Sequence, residues 1–156
     1  MRKVWGGILV ASVLISYAPF SQANGDRSTS PQAGARTYAQ NYKDMVLATC
    51  IANAYKNDKD VAIDAGSSVS ALRDWTYYDM NKAPDAIKNL VDDYLSRNYH
   101  NPLADSEMEG VHFNLLKCLD LYHSRELDRQ VKRFVISPKR TYRQASRHKA
   151  STAHKN

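Results

Sequence analysis

The side chains of this 156-residue chain that could do chemistry are few, and their spacing serves no common reaction. A nucleophile needs a base within hydrogen-bond reach and a third group that holds the base. Cys50 and Cys118 are the best nucleophiles by type, but each falls on the apolar side of a helical pattern. No serine stands in a Gly-x-Ser-x-Gly elbow, and no Gly-rich phosphate loop precedes a helix. His100, His112 and His123 form neither His-x-x-x-His nor His-x-x-Glu-His pairs. The densest polar cluster is NYHNPLADSEMEG, residues 98–110. A metal site from its His100, Asp105 and Glu107 is conceivable, but loop carboxylates are far more often solvated. Paired carboxylates for sugar hydrolysis need one raised pKa, which an acidic surface loop does not favour. The expectation is a protein without catalysis, metal or cofactor.

The elements that must position this cluster are helical. Tyr42, Val46, Cys50 and Ala54 form one line, with Leu47, Ile51 and Tyr55 beside it, so the first helix should be central. A second helix starts near Lys59 or Asp60 and carries Val61, Ala65, Val69 and Leu72, interrupted in propensity by Gly66-Ser67-Ser68. It runs into Trp75-Thr76-Tyr77-Tyr78, an aromatic knot read as core. Asn81 is the expected N-cap of a third helix, with Pro84 in its first turn. Ile87, Leu90, Val91, Tyr94 and Leu95 form the cleanest amphipathic stripe in the chain. The 98–110 stretch then ends in Ser106-x-x-Glu109, which has capping-box form. A fourth helix is expected from there to Tyr122, with Val111, Leu115, Cys118, Leu119 and Tyr122 inward. Ser124 caps a fifth helix carrying Leu127, Val131, Phe134 and Val135, and Pro138 ends it. The fold class is all-α, a bundle of four to five short helices.

Flanking segments set the compartment. Arg2 and Lys3, the apolar run 8–20 and Ser21-Gln22-Ala23 read as a secretory signal peptide, residues 1–23. The run is short of the ~20 residues that a spanning helix needs. Residues 24–36 are rich in Gly, Ser and Pro and read as a flexible lead-in, 37–136 as the helical domain. Residues 24–128 hold 11 Lys/Arg against 16 Asp/Glu, whereas residues 129–156 hold nine Lys/Arg and no acid. Residues 137–156 lack apolar periodicity and are expected to form a basic tail without stable structure. In an exported chain an even cysteine count favours a Cys50–Cys118 disulfide tying the first helix to the fourth; two buried free thiols are the alternative.

A small exported helical domain without catalytic machinery is usually a binding module. Two classes compete: an inhibitor that occludes a partner's active site with a protruding loop, and a small periplasmic acid-stress chaperone that binds unfolded proteins. The first needs a rigid loop and one tight partner.

Three runs narrow this choice: YKDMVLATCIANAY (42–55), ALRDWTYYDM (71–80) and NLLKCLDLYHSRELDRQVKRF (114–134). In order and spacing they resemble the fourth family of type VI secretion amidase immunity proteins. The resemblance covers residues 37–135, both cysteines included, and excludes the leader and the basic tail. It implies a periplasmic, homodimeric, non-enzymatic protein that binds a papain-like cysteine amidase cutting peptidoglycan peptide stems, two effectors per dimer. It also implies that the loop between the third and fourth helices enters the amidase cleft. That loop here is 98–110. Asp105, Glu107 and Glu109 would supply charge, Asn98, His100 and Asn101 adaptable hydrogen bonds, and Tyr99 and Leu103 apolar anchors. Glu109 could instead complete the capping box, and Tyr99 and Leu103 could pin the loop to its own core. Neither nucleic acid nor a membrane span is expected; the second helix at Gly66-Ser67-Ser68 and the aromatic end near Trp75 are both candidates for the dimer face.

Overall fold

Helix α1 (Tyr38–Ala54) begins at Thr37, whose side chain accepts the Gln40 amide while the Gln40 side chain returns to the Thr37 amide. From that start, Tyr38, Tyr42, Met45, Val46 and Cys50 fall on one stripe and are all buried. Helices α2 (Lys59–Asp74), α3 (Ala83–Ser96), α4 (Asn114–Tyr122) and α5 (Arg125–Phe134) all pack against α1. The computed structural model describes residues 31–99 and 110–153, and among them the regular structure is helical, with two isolated β-bridges. The all-α expectation is met. No helix among the described residues is long and apolar enough to cross a membrane.

Local signals account for most helix starts. Asp58 caps α2 by accepting the Val61 amide, and Gly66-Ser67-Ser68 stays inside that helix. Ser124 caps α5 through the Leu127 amide. The stripe of α3 buries Ala83, Ile87, Leu90, Val91 and Tyr94, with the Lys88–Asp92 pair on its outer face. Asn81 does not cap α3, contrary to expectation: Asp79 accepts the Asn81 and Lys82 amides in a turn, and Lys82 takes the N-cap position without a side-chain bond. Pro84 lies in the first turn as expected.

Cross-links then fix the bundle. Cys50 and Cys118 form a disulfide between α1 and α4, both fully buried. Tyr42, fully buried, donates its hydroxyl to Gln130 on α5, and Gln130 donates to the Ala86 carbonyl of α3. Burial holds the Tyr42 phenol well above its ordinary pKa. Its ring meets Tyr78 edge-on at 5.6 Å. Of the aromatic knot, Thr76 and Tyr78 are buried and Trp75 half-buried, but Tyr77 is exposed. The strand-like pairing of Tyr78 with Val135 explains the difference, because it turns alternate residues outward.

Four further expectations are corrected. Helix α4 begins at Asn114, after Gly110 (φ 80°) and a left-handed Phe113 (φ 50°), rather than continuing from the Ser106 box. Its inward residues are Lys117, Cys118 and Leu121, while Leu115 and Leu119 face outward. The stretch read as a flexible lead-in contains a 3-10 turn, Gln32–Ala35, with Ala33 and Gly34 buried. Asn41, 0 % exposed, holds this turn by donating to the Ala33 and Trp75 carbonyls. The basic stretch read as unstructured forms helix α6 (Tyr142–Ala153), opened by a Thr141–Gln144 capping box. Its lead-in is paired to the start of α1, through Tyr38 and Ala39 amides donating to the Arg140 and Pro138 carbonyls.

Candidate functional site

The connection between α3 and α4 is the region that the sequence singles out, and the described residues show how its two ends are held. At the first end, α3 stops at Ser96, whose hydroxyl donates to the Asp93 carbonyl. Arg97 leaves the helix and turns back. Its guanidinium pairs with Asp93 at 2.8 Å and lies 3.4 Å from the centre of the Tyr94 ring. Asn98 is exposed. Tyr99 is half-buried and donates its hydroxyl to Asp120 of α4 at 2.6 Å. The hydrogen bond to this carboxylate, with some burial, raises the Tyr99 pKa.

Beneath Tyr99 lies Lys117, a lysine only 5 % exposed. Its ammonium donates to the Leu95 carbonyl at 3.1 Å and to Asn114 Oδ1 at 3.4 Å, and it stands 5.9 Å from the Tyr99 ring centre. Leu95 belongs to the last turn of α3, where carbonyls lack helical partners and the helix dipole favours a cation. One turn of α4 therefore grips the end of α3 and Tyr99, three residues beyond it. Cys118, beside Lys117, bolts the same turn to α1.

At the second end the chain re-enters through Gly110, whose positive φ suits glycine. Val111, Phe113, Leu115, Leu116 and Leu119, with Tyr55 at the end of α1, line a shallow cleft of about 530 Å³. Leu115, Leu116 and Leu119 are 48 %, 46 % and 40 % exposed, so this side of α4 is an apolar surface next to the connection.

Of the residues singled out from sequence, Asn98 and Tyr99 are placed here, and Tyr99 bonds to its own chain. His100, Asn101, Leu103, Asp105, Glu107 and Glu109, together with Ser106, lie outside the described residues. Among the described residues no group of three His, Cys, Asp or Glu side chains converges as metal ligands would. Sequence reasoning missed Lys117 and Asp120. Neither carries a signal in the letters, because α4 is apolar on most sides and the buried position of Lys117 is set by tertiary packing.

Comparison with known proteins gives a consistent set of likenesses. The family described as type VI secretion system amidase immunity protein, Tai4, matches residues 40–131. A solved structure from work on new type VI-secreted toxins and self-resistance proteins in Serratia marcescens is similar at 26 % identity. It superposes with a TM-score of 0.65, over 87 % of this chain and 98 % of that one. A second, from the effector–immunity system Tae4/Tai4 of Salmonella typhimurium, is similar at 25 % identity and a TM-score of 0.57, covering 67 % of this chain and 95 % of that one. No curated protein matches the sequence significantly.

Proposed function

The chain belongs to the type VI secretion system amidase immunity family, and on that premise we propose that it binds and inhibits a cognate type VI peptidoglycan amidase in the periplasm. The family match across residues 40–131 carries this reading, because it spans α1 to α5 and both ends of the α3–α4 connection. The relative from Salmonella typhimurium is one half of an effector–immunity system, which supports a protein partner as the ligand.

Inhibition needs no catalytic group on this chain. A papain-like amidase holds a thiolate beside an imidazolium, and blocking that cleft is sufficient. Residues 98–105 are the segment we assign to the cleft, where Asp105 and the amides of Asn98 and Asn101 would meet its polar groups. What supports this is the rigid base below the segment: a disulfide-fixed α4 turn and two side chains holding the end of α3. A rigid base lowers the ordering cost of association. Residues 1–23 would direct export, and a homodimer would present two such segments.

Deleting residues 98–105 should abolish inhibition while the helical circular dichroism signal remains. Inhibition that survives the deletion would move the contact surface elsewhere on the molecule.

A further inference from the structure

We propose that Lys117 and Asp120, three residues apart on α4, are positioning residues that set the direction in which the partner-binding segment leaves α3. This rests on the reading that the α3–α4 connection contacts the amidase, and it adds two residues that act on that contact from behind.

Lys117 is an unusual residue to find buried. Lysine is rarely buried without a charged partner, since an ammonium loses hydration on burial. Among the described residues Lys117 forms no ion pair; its contacts are the Leu95 carbonyl, the Asn114 side chain and the Tyr99 ring. An apolar residue here would fill the space beside Cys118 without the desolvation penalty. The lysine does what an apolar residue does not: it ties the last turn of α3 to α4 by a directed, charge-assisted bond.

Asp120 completes the hold one turn further along. Its carboxylate is exposed, and so is its bond to Tyr99, so this contact adds little to global stability. Its effect is local. Between the end of α3 at Ser96 and the hydroxyl of Tyr99 there are only two intervening residues, and Arg97 is itself tied to Asp93 and Tyr94. With Leu95 fixed by Lys117 and Tyr99 by Asp120, the backbone at Asn98 has little freedom. Segments ordered before association lose less entropy on binding, and such gains appear mainly in the dissociation rate.

The test uses the mature full chain and its cognate amidase, with dissociation followed by surface-based kinetics and thermal stability by circular dichroism. Asp120→Ala and Tyr99→Phe should each speed dissociation roughly three- to tenfold, as loss of one exposed hydrogen bond predicts. The double variant should be no worse than either single one, and the melting temperature should hold. Asp120→Glu should recover much of the loss. Wild-type kinetics for Asp120→Ala would overturn the proposal, as would strictly additive effects, which would mean that Tyr99 touches the amidase directly. If the wild-type chain does not bind the amidase, the functional reading fails instead. The positioning claim is then decided by amide hydrogen exchange at Tyr99, faster in Asp120→Ala and Lys117→Met if it holds and unchanged if it does not.

Discussion

Thr37 and Thr141 face each other across an isolated antiparallel bridge, and each opens a helix with the same Thr-x-x-Gln capping box. The bridge joins the first and last helices of the described domain, but the two helices do not weigh equally. Helix α1 carries the buried stripe, whereas α6 touches the rest chiefly through the Gln32–Ala35 turn. Thr37→Ala should therefore lower global stability by about 1 kcal/mol. Thr141→Ala should fray α6 alone, seen as faster hydrogen exchange over residues 142–147 with an unchanged urea midpoint.

The disulfide closes a loop between residues 68 apart in sequence. By chain entropy, its loss should cost about 4 kcal/mol, a large share of what a domain of this size holds. The Cys50→Ala/Cys118→Ala variant, compared with wild type in urea, measures it. A loss below about 1 kcal/mol would show that the unfolded chain stays compact without the link.

Asn41 is a polar residue in the core with two carbonyls to satisfy. Asn41→Leu leaves the Ala33 and Trp75 carbonyls without this donor and removes the acceptor of the Arg36 Nε bond. The expected cost is about 2–4 kcal/mol, read from denaturant unfolding. Loosening of residues 31–36, visible as new proteolytic cleavage there, should accompany it.

How much of this was legible in the sequence depended on how one-sided each helix is. The α3 stripe has polar neighbours on its flanks, so its periodicity identified the buried face directly. Helix α4, NLLKCLDLY, is apolar around most of its circumference, and periodicity could not choose a face. The disulfide and the Lys117 bond to Leu95 choose it, and both are tertiary. For α6, the Thr141-x-x-Gln144 box is present in the letters, but no apolar periodicity follows it. Its backbone pairing to the start of α1 has no sequence signature at all. The connection between α3 and α4 was legible as a polar stretch between two helices. The side chains that hold its first end were not, because Asp120 looks like any exposed carboxylate.

The corrected face of α4 can be tested by contrast. Leu121→Ala removes a fully buried side chain and should cost about 2–5 kcal/mol. Leu116→Ala, on the exposed side, should stay within about 0.5 kcal/mol in the free protein. Equal costs would contradict the placement described.

Glu126 gives a pH dependence with a definite sign. Its own backbone hydrogen bond, then Arg129, hold its pKa below the ordinary carboxylate value. A lowered folded pKa adds stability above the unfolded value, and this is lost as pH falls through the folded one. Wild type should therefore exceed Glu126→Gln in urea midpoint at pH 7, with the gap closing as pH falls below the ordinary carboxylate range. A gap that widens on acidification would contradict the assignment.

The central claim is that this chain silences a peptidoglycan amidase, and the direct measurement is a titration. Purified cognate amidase is held at fixed concentration on isolated peptidoglycan, and the mature chain is added in increasing amounts while released peptide ends are counted. Cleavage should fall in proportion to added protein and vanish near equimolar ratio. Undiminished cleavage at a large excess would contradict the account.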